Sequence, residues 1–178
     1  MLVLVVGPSG AGKDTLLEAA RQALMGDARF RFVRRVITRP ADAGGEAHEA
    51  VTEAEFAQRQ FALQWQAHEL NYGIPIDVIE DIARGLVVVA NVSRTIIADA
   101  AQRFPTRVIE VTAAADVLAV RLATRARENS ADVAARLARS VALPEHVDAE
   151  TVLNDASLEE GVARFLAALN RAASDAAR

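Results

Sequence analysis

A single lysine stands in a glycine-rich segment near the start of the chain, at a spacing suited to binding phosphate. Residues 7–13 read Gly-Pro-Ser-Gly-Ala-Gly-Lys and match the pattern G-x-x-x-x-G-K, between an apolar run and a helical pattern. Glycines let the backbone wrap closely around phosphate oxygens, and N–H groups at a helix start hold negative charge. Lys13 adds a compact charge that can follow a phosphoryl group in transfer. We therefore expect one continuous segment to bind phosphates: Gly7, Pro8, Ser9, Gly10, Ala11, Gly12, Lys13, Asp14 and Thr15.

The residue after this lysine departs from the usual pattern, which has a serine or threonine there as a magnesium ligand. The chain has Asp14, followed by Thr15. A carboxylate is also a hard oxygen ligand and could hold Mg²⁺ directly or through water. A second interpretation, compatible with the first, is an acidic residue that stabilises the start of a helix through its dipole. We name Asp14 as the candidate metal ligand.

Another departure lies at the end of a predicted strand, Leu86 to Ala90. Most proteins with this phosphate-binding loop place an acid there, whereas this chain has Asn91. An amide can donate or accept a hydrogen bond but brings no charge. The substitution argues against a hydrolytic motor or a switch GTPase. It favours a phosphotransferase, in which the metal lies largely between two substrates.

Five arginines flank the short polar segment 128–130 and could form a lid over phosphates. Two pairs among them have the i,i+4 or i,i+3 spacing that brings side chains together on one face of a helix. Forked guanidinium donors over two phosphates would stabilise charge in transfer. The alternative is solvated helix faces, with Asp132 pairing Arg136. We expect a lid at about 121–139 that carries Arg121, Arg125, Arg127, Arg136 and Arg139.

The elements that must position these residues alternate between buried strands and helices. Apolar runs predict strands at Leu2–Val6, 86–90, 107–111 and 151–153. Helical spacing begins at Lys13 and ends at Gly26, and further helices are predicted over 76–84, 94–103, 115–127, 130–143 and after Ser157. We expect the tail from Ala172 to fray. The alternation predicts an α/β fold with a mostly parallel sheet covered on both faces, interrupted by an inserted lobe over 34–75.

Composition limits the class of protein. The 178 residues, 52% hydrophobic and 25% charged, suit one globular domain spanning 1–178. The formal net charge of -4 disfavours the coating of nucleic acid, and the 20 basic residues comprise 19 arginines and Lys13. The lack of cysteine excludes disulfides, thiolate metal sites and a thiol nucleophile, and the three histidines lack metal-ligand spacing. The first apolar run is too short to span a bilayer, so we expect a cytoplasmic protein, with monomer and homodimer both open.

The order of these motifs resembles that of guanylate kinases over nearly the whole chain. The resemblance lies in GPSGAGKDTLL, Thr38-Arg39-Pro40, Asn71-Tyr72-Gly73, the arginine-rich segment and Val152-Leu153-Asn154-Asp155. It implies a three-layer P-loop kinase fold with an acceptor-binding lobe at about 34–84 and the lid named above. It also implies catalytic roles for Lys13, Arg125 and Arg136. Further implied roles are acceptor-phosphate binding for Arg39 and an adenine loop for Asn154 and Asp155.

Departures from that family indicate a sister family. The second arginine of its Thr-Arg-x-Pro-Arg pattern is missing after Pro40, and Gln64 stands where a glutamate reads guanine. Residues 36–48, 61–65, 90–94 and 125–129 are similar to the ribose 1,5-bisphosphate phosphokinases of phosphonate degradation. That resemblance implies ATP with Mg²⁺, ribose 1,5-bisphosphate as acceptor, and ADP and 5-phospho-α-D-ribosyl 1-diphosphate as products. A guanylate kinase and an inactive guanylate-kinase-like interaction module remain the alternatives.

The residues suit an acceptor that is itself a phosphate. A phosphate monoester is largely ionised near neutral pH, because its second pKa is about 6, so no general base is needed. Arg34 and Arg35 would point to opposite faces of an extended chain, so we expect only one of them to face the site. Trp65 is either a pocket wall or a core residue. The residues that we expect to bind the acceptor are Arg35, Thr38, Arg39 and Tyr72.

Overall fold

The structure is a computed structural model, and it describes residues 1–41, 47–125, 143–144 and 147–177. Its strands are β1 (Leu2–Val6), β2 (Phe30–Phe32), β3 (Val36–Ile37), β4 (Glu49–Ala50), β5 (Phe61–Ala67), β6 (Leu70–Pro75), β7 (Val87–Asn91), β8 (Thr106–Thr112) and β9 (Ala149–Leu153). Its helices are α1 (Lys13–Ala23), α2 (Glu53–Ala57), α3 (Val78–Ala83), α4 (Ile97–Arg103), α5 (Ala115–Arg125) and α6 (Leu158–Ala176). Over the described ranges, every helix is too short or too polar to cross a membrane.

The main sheet has five parallel strands in the order β2-β7-β1-β8-β9. Its central strand is β1, whose residues are all buried, and Leu2 lies beside Val88 of β7 and Thr106 of β8. Apolar runs with both faces covered are typical of parallel strands. The predicted α/β fold with a mostly parallel sheet is confirmed. The carboxyl ends of β1 and β7 meet at one edge of this sheet, where the glycine-rich loop and Asn91 lie.

Alternate residues of β1 face two different helical layers. Val3 and Val5 face a core that is completed by α1 and α6, whereas Leu2 and Leu4 face a core that includes residues of α3 and α4. Each fully buried aliphatic side chain of this size stabilises the fold by about 1.5–3 kcal/mol. The alternation along one strand therefore holds three layers together.

The edge strand β2 is the element of the main sheet that the sequence pattern misses. It pairs with β7 along Phe30 to Phe32, and its residues are half-buried. Arg31, between the two phenylalanines, forms ion pairs with Asp77 and Asp81. A strand of this length is hard to recognise, because the alternation that identifies a strand needs about 4–8 residues.

A second sheet of four strands, in the order β4-β3-β6-β5, stands in the segment where the sequence predicts an insertion. Its strands β5 and β6 are antiparallel and join through a turn in which His68 and Glu69 both have positive φ. The short helix α2 begins at a capping box, in which the side chains of Thr52 and Glu55 each accept from the other's backbone N–H. After β6, α3 returns the chain to β7 of the main sheet.

The expectation that the tail from Ala172 frays is wrong. Helix α6 continues to Ala176, and both Ala172 and Ala173 are buried in the core beside α1. Asp175 near its end forms an ion pair with Arg107 of β8. Alanine is the best helix former and leaves room for close packing, so an alanine-rich tail can pack as a helix. The predicted helix over 130–143 falls almost entirely outside the described residues.

Candidate active site

The glycine-rich loop follows β1 and leads directly into α1. Gly7, Gly10 and Gly12 have φ angles of 149°, 84° and 85°, which residues with a Cβ rarely adopt. At Gly7 a Cβ would lie 1.9 Å from the carbonyl oxygen of Val111 on β8. Gly12 is the N-cap of α1 and has no side chain to cap it. The first N–H groups of the helix are thus available to an anion.

Lys13 is the first residue of α1, and its side chain folds back over the loop. Its Nζ donates to the carbonyl oxygens of Gly7 at 2.8 Å and Pro8 at 3.0 Å. The ammonium group therefore lies against the same backbone that the pattern assigns to phosphate binding. A point charge with three rotatable donors suits this position, whereas the planar fork of an arginine is longer and needs acceptors in its own plane.

Asp14 and Asn91 come together from two different elements. The side-chain Nδ2 of Asn91 donates to Oδ1 of Asp14 at 3.1 Å, which joins the first turn of α1 to the end of β7. Asp14 is exposed, whereas Asn91 is buried. The carboxylate thus stands at the start of the helix and the neutral amide at the end of the strand. This is the reverse of the arrangement that the usual pattern for such loops predicts.

Asp14 is suited to be a magnesium ligand, because it is a carboxylate and a single carboxylate is enough when a substrate completes the site. Mg²⁺ is commonly held by one or two carboxylates together with substrate phosphates and waters. Within the part of the chain that the structure describes, no group of three His, Cys, Asp or Glu side chains could hold a metal ion. Magnesium at this position would therefore take the rest of its oxygen ligands from a nucleotide and water.

Asn154 follows β9 and contacts the loop directly. Its side-chain Nδ2 donates to the carbonyl oxygen of Ala11 at 2.8 Å, and the residue is 5% exposed. Two glycines make room for it. A Cβ on Gly12 would lie 2.5 Å from Nδ2 of Asn154, and a Cβ on Gly161 would lie 2.3 Å from its Oδ1. The asparagine therefore fixes the position of the loop backbone just before Lys13.

The same asparagine also joins the loop to α5. Arg121, a predicted lid residue, donates from Nη1 to the carbonyl oxygen of Asn154 at 2.8 Å. Asp155 is exposed and accepts from Arg164 of α6 at 3.2 Å. The adenine role of Asn154 and Asp155 stays a prediction. The structure adds that the side chain of Asn154 already bonds the loop.

The acceptor lobe brings Thr38 and Arg39 to the end of β3. The Oγ1 of Thr38 accepts from the backbone N–H of Asn71 at 2.9 Å, which fixes this turn to β6. Arg39 contacts His48, whose ring lies 3.3 Å from its Nη2 and 3.0 Å from its carbonyl oxygen. The Nε of Arg39 is buried without a hydrogen-bond partner in the described structure. The predicted substrate residues of this turn are thus held by backbone and by a neighbouring ring.

Arg35 lies against an aromatic pair. The rings of Trp65 and Tyr72 stack with centroids 5.3 Å apart, and the Arg35 guanidinium lies 5.2 Å from the Tyr72 ring and 5.8 Å from that of Trp65. Burial lowers the pKa of the Arg35 guanidinium to about 10; the charge of Arg39 adds to this lowering, while Asp14 and Tyr72 oppose it. Arg35 therefore stays charged at neutral pH in surroundings that strengthen its attraction to an anion.

A cleft of about 1200 Å³ opens between α1, the ends of β2 and β7, and the acceptor lobe. Asp14 and Asn91 line it, and so does Arg34, which is exposed. The side chains of Arg34 and Arg35 lie in different surroundings, as expected for neighbouring residues of an extended chain. Arg34 lies on the cleft wall, whereas Arg35 lies against Tyr72, so the structure gives each arginine its own surroundings near the site. The choice of Arg35 as the substrate ligand stays a prediction.

The predicted lid falls largely outside the described residues. Arg125 is the last residue of α5, where only the backbone is described. Arg127, Arg136 and Arg139 lie in the segment that the structure does not describe. Arg121 is the lid arginine whose contact is described, and it joins α5 to the loop before α6. Roles for the other four in phosphate binding stay predictions.

Two contacts within the site are absent from the sequence reasoning. One is the ring of His48 on Arg39, and the other is the amide of Asn154 on Ala11. His48 is the last residue of the motif at 36–48, but no spacing rule predicts a contact between a histidine and an arginine nine residues apart. Both contacts depend on how distant segments meet in the fold, so a local pattern contains no signal for them.

No family model matches the chain. It is 54% identical over 170 residues to the ribose 1,5-bisphosphate phosphokinase PhnN of Acidiphilium cryptum, which covers 96% of this chain and 92% of that protein. It is 48% identical over 170 residues to the protein of the same name from Brucella melitensis, covering 92% of this chain and 88% of that protein. A bifunctional ribose 1,5-bisphosphokinase-thymidine phosphorylase of Cupriavidus necator is 54% identical over 171 residues, 93% of this chain and 28% of that protein.

Solved structures with a similar fold are kinases. A guanylate kinase from Anaplasma phagocytophilum matches with a TM-score of 0.68 at 16% identity, over 97% of this chain and 85% of that chain. A gluconokinase from Sinorhizobium meliloti matches with a TM-score of 0.54 at 18% identity, over 97% of this chain and 93% of that chain. At these identities the likeness concerns the fold, and it confirms the predicted P-loop kinase architecture.

Proposed function

This chain belongs to the family of ribose 1,5-bisphosphate phosphokinases, and from that premise we propose that it transfers the γ-phosphoryl group of ATP to the 1-phosphate of ribose 1,5-bisphosphate. The products are ADP and 5-phospho-α-D-ribosyl 1-diphosphate. One observation carries the proposal: a complete phosphate-binding loop, with Lys13 in place, in a chain related over nearly its whole length to enzymes of that name. An inactive interaction module would have no need of the strained glycines and the lysine.

On the donor side, the loop and Lys13 hold and neutralise the phosphates of ATP. The N–H groups at the start of α1 face the anion, and the ammonium of Lys13 can follow the charge that moves with the phosphoryl group. Magnesium, when bound, would neutralise the phosphates of ATP and align them for in-line transfer. Asp14, held by Asn91, is the residue of this chain that would anchor it.

On the acceptor side, no residue needs to remove a proton. The attacking group is a phosphate oxygen, which is ionised at neutral pH because the second pKa of a phosphate monoester is about 6. The work left to the chain is to bring two polyanions together. Arg39 and Arg35 neutralise the acceptor from the lobe, Tyr72 supports Arg35 through its ring, and Thr38 holds the turn.

We propose that residues 1–178 form one kinase domain, in which the lobe at about 34–84 binds the acceptor and the segment at about 121–139 closes over both substrates. Arg125 and Arg136 then contact phosphates during transfer, with Arg121, Arg127 and Arg139 beside them. The protein works in the cytoplasm, where ATP and Mg²⁺ are supplied, and takes small molecules rather than nucleic acid as substrates.

Purified protein is expected to form 5-phospho-α-D-ribosyl 1-diphosphate from ATP and ribose 1,5-bisphosphate, and to leave GMP unchanged. The physical reason is the loss of a carboxylate at two positions: Gln64 stands where a glutamate reads guanine in guanylate kinases, and Asn91 stands where the usual acid follows the strand. Phosphorus NMR of the products distinguishes a new diphosphate from GDP. A Lys13→Met preparation purified in parallel reports any contaminating kinase. Consumption of GMP with no use of ribose 1,5-bisphosphate would assign the chain to guanylate kinases, and calorimetry without ATP binding would favour the inactive module.

Asp14→Asn is expected to raise the Mg²⁺ concentration needed for half-maximal ATP binding by about tenfold, because the ion loses a charged ligand. Titration calorimetry of ATP at stepped Mg²⁺ concentrations measures this without turnover. Asp14→Ser, which restores the usual motif, should recover part of the loss. Asp116→Asn is the matched control, since Asp116 also lies in the first turn of a helix. An unchanged Mg²⁺ dependence for Asp14→Asn would mean that Asp14 does not bind the ion and only stabilises the start of the helix.

A further inference from the structure

His48 is a buried histidine that no step of the proposed reaction uses. It is 5% exposed and precedes β4 in the acceptor lobe. Both of its ring nitrogens face the same residue: Nδ1 lies 3.3 Å from Nη2 of Arg39, and Nε2 lies 3.0 Å from the carbonyl oxygen of Arg39. A ring that contacts both the head and the backbone of one arginine fixes that side chain at its two ends.

The chemistry of the two groups decides which way these hydrogen bonds run. A guanidinium can only donate, so Nδ1 of His48 accepts from Arg39. A carbonyl oxygen can only accept, so Nε2 carries the hydrogen and donates. These two hydrogen bonds together place the hydrogen on Nε2 and a lone pair on Nδ1.

Arg39 needs such support because a second arginine stands in the same lobe. The charge of Arg39 acts on Arg35, and like charges this close repel. Arg39 also has a long side chain with many rotamers, and a phosphate is best bound by a guanidinium whose fork is already oriented. A ring nitrogen that accepts from Nη2 holds the guanidinium in place against both tendencies.

We propose that His48 is a positioning residue that orients Arg39 toward the acceptor phosphate. This inference rests on the proposed function, since the role of Arg39 in binding the acceptor is part of it. The expected signature is specific: the acceptor binds more weakly when the ring contact is lost, while the binding of ATP and the rate at saturating acceptor stay near their normal values.

Three substitutions separate the two hydrogen bonds. His48→Phe keeps a buried ring and removes both. His48→Asn keeps an acceptor near the position of Nδ1, and His48→Gln keeps a donor near that of Nε2. For His48→Phe we expect the KM for the acceptor to rise about tenfold, as for the loss of one charge-assisted hydrogen bond. His48→Asn should recover more of the acceptor affinity than His48→Gln, because it keeps the contact with the guanidinium.

A double-substitution cycle with Arg39→Ala distinguishes positioning from a merely structural role. If His48 acts through Arg39, adding His48→Phe to Arg39→Ala leaves the KM for the acceptor unchanged. An equal rise in both backgrounds, or a joint fall in kcat and thermal midpoint for all three His48 variants, overturns the proposal. If His48→Phe does not fold, the Asn and Gln variants decide it by the order of their KM values.

The acceptor in these assays is whichever one the unmodified protein phosphorylates. If that acceptor is GMP rather than ribose 1,5-bisphosphate, the proposed function fails, and the cycle on GMP still tests His48. If ribose 1,5-bisphosphate is used and the cycle is additive, the function holds and the positioning role fails. The two failures are thus distinguishable.

Discussion

Replacing Lys13 by methionine is expected to lower the rate of phosphoryl transfer by about 10² or more, the effect typical of losing one charge aimed at the transition state. In the unmodified protein the Nζ of Lys13 donates to the carbonyl oxygens of Gly7 and Pro8, within the loop that is proposed to hold the phosphates. Methionine has similar length and no charge, so the fold should persist. The measurement is kcat with both substrates saturating, together with the affinity for ATP.

Lys13→Arg should also lower the rate of phosphoryl transfer, although it keeps the charge. A planar fork cannot replace a compact ammonium inside a tight loop. The matched control is Arg84→Lys directly after α3, an exposed arginine paired with Glu80 on the surface. There the exchange should leave the rate within about twofold, since a surface pair contributes little. A near-normal rate for Lys13→Met would remove Lys13 from the mechanism.

Gly7→Ala is expected to lower the free energy of unfolding by about 3 kcal/mol or more and to abolish ATP binding. Two causes add. The φ angle of 149° disfavours any residue with a Cβ, and the new Cβ would lie 1.9 Å from the carbonyl oxygen of Val111. That oxygen belongs to the backbone of β8, which is paired with a strand on each side, so the loop rather than the strand must move. Denaturant unfolding and ATP calorimetry measure the two effects.

Gly26→Ala provides the control for the backbone angle alone. Gly26 has a φ of 99° after α1, and nothing lies within 4 Å of the position its Cβ would take. This substitution should lower stability by about 1–2 kcal/mol and leave ATP binding intact. The difference between the two variants isolates the contact with β8. Equal losses of stability would mean that the loop at Gly7 relaxes without strain.

Local patterns were enough to predict the donor half of the site. The buried valine run, the glycine spacing, Lys13 and the following helix are neighbours in the chain, and β1 and α1 begin at the residues the patterns predict. Asp14 was also visible, because it breaks the motif at one known position. No local pattern predicts the hydrogen bond between Asp14 and Asn91, since the two residues lie 77 positions apart.

The parts that sequence reasoning missed depend on contacts between distant segments. Strand β2 is too short to show alternation, and it forms because β7 offers an edge. The tail of α6 looks like a flexible alanine segment until Ala172 and Ala173 meet the core. His48 and Asn154 are polar residues whose roles come from buried partners. In each case the deciding term is tertiary packing, which overrides local propensity.

The packing of Asn154 between Gly12 and Gly161 affects which substitutions can accumulate at these positions during evolution. An alanine at position 161, inside α6, would by itself favour the helix by about 1 kcal/mol. Its Cβ would, however, meet Oδ1 of Asn154 at 2.3 Å. That alanine would push the amide of Asn154 away from the carbonyl oxygen of Ala11, so it becomes favourable only where the loop no longer depends on this hydrogen bond. Gly12 is different, since its φ of 85° keeps glycine favoured whatever stands at position 154.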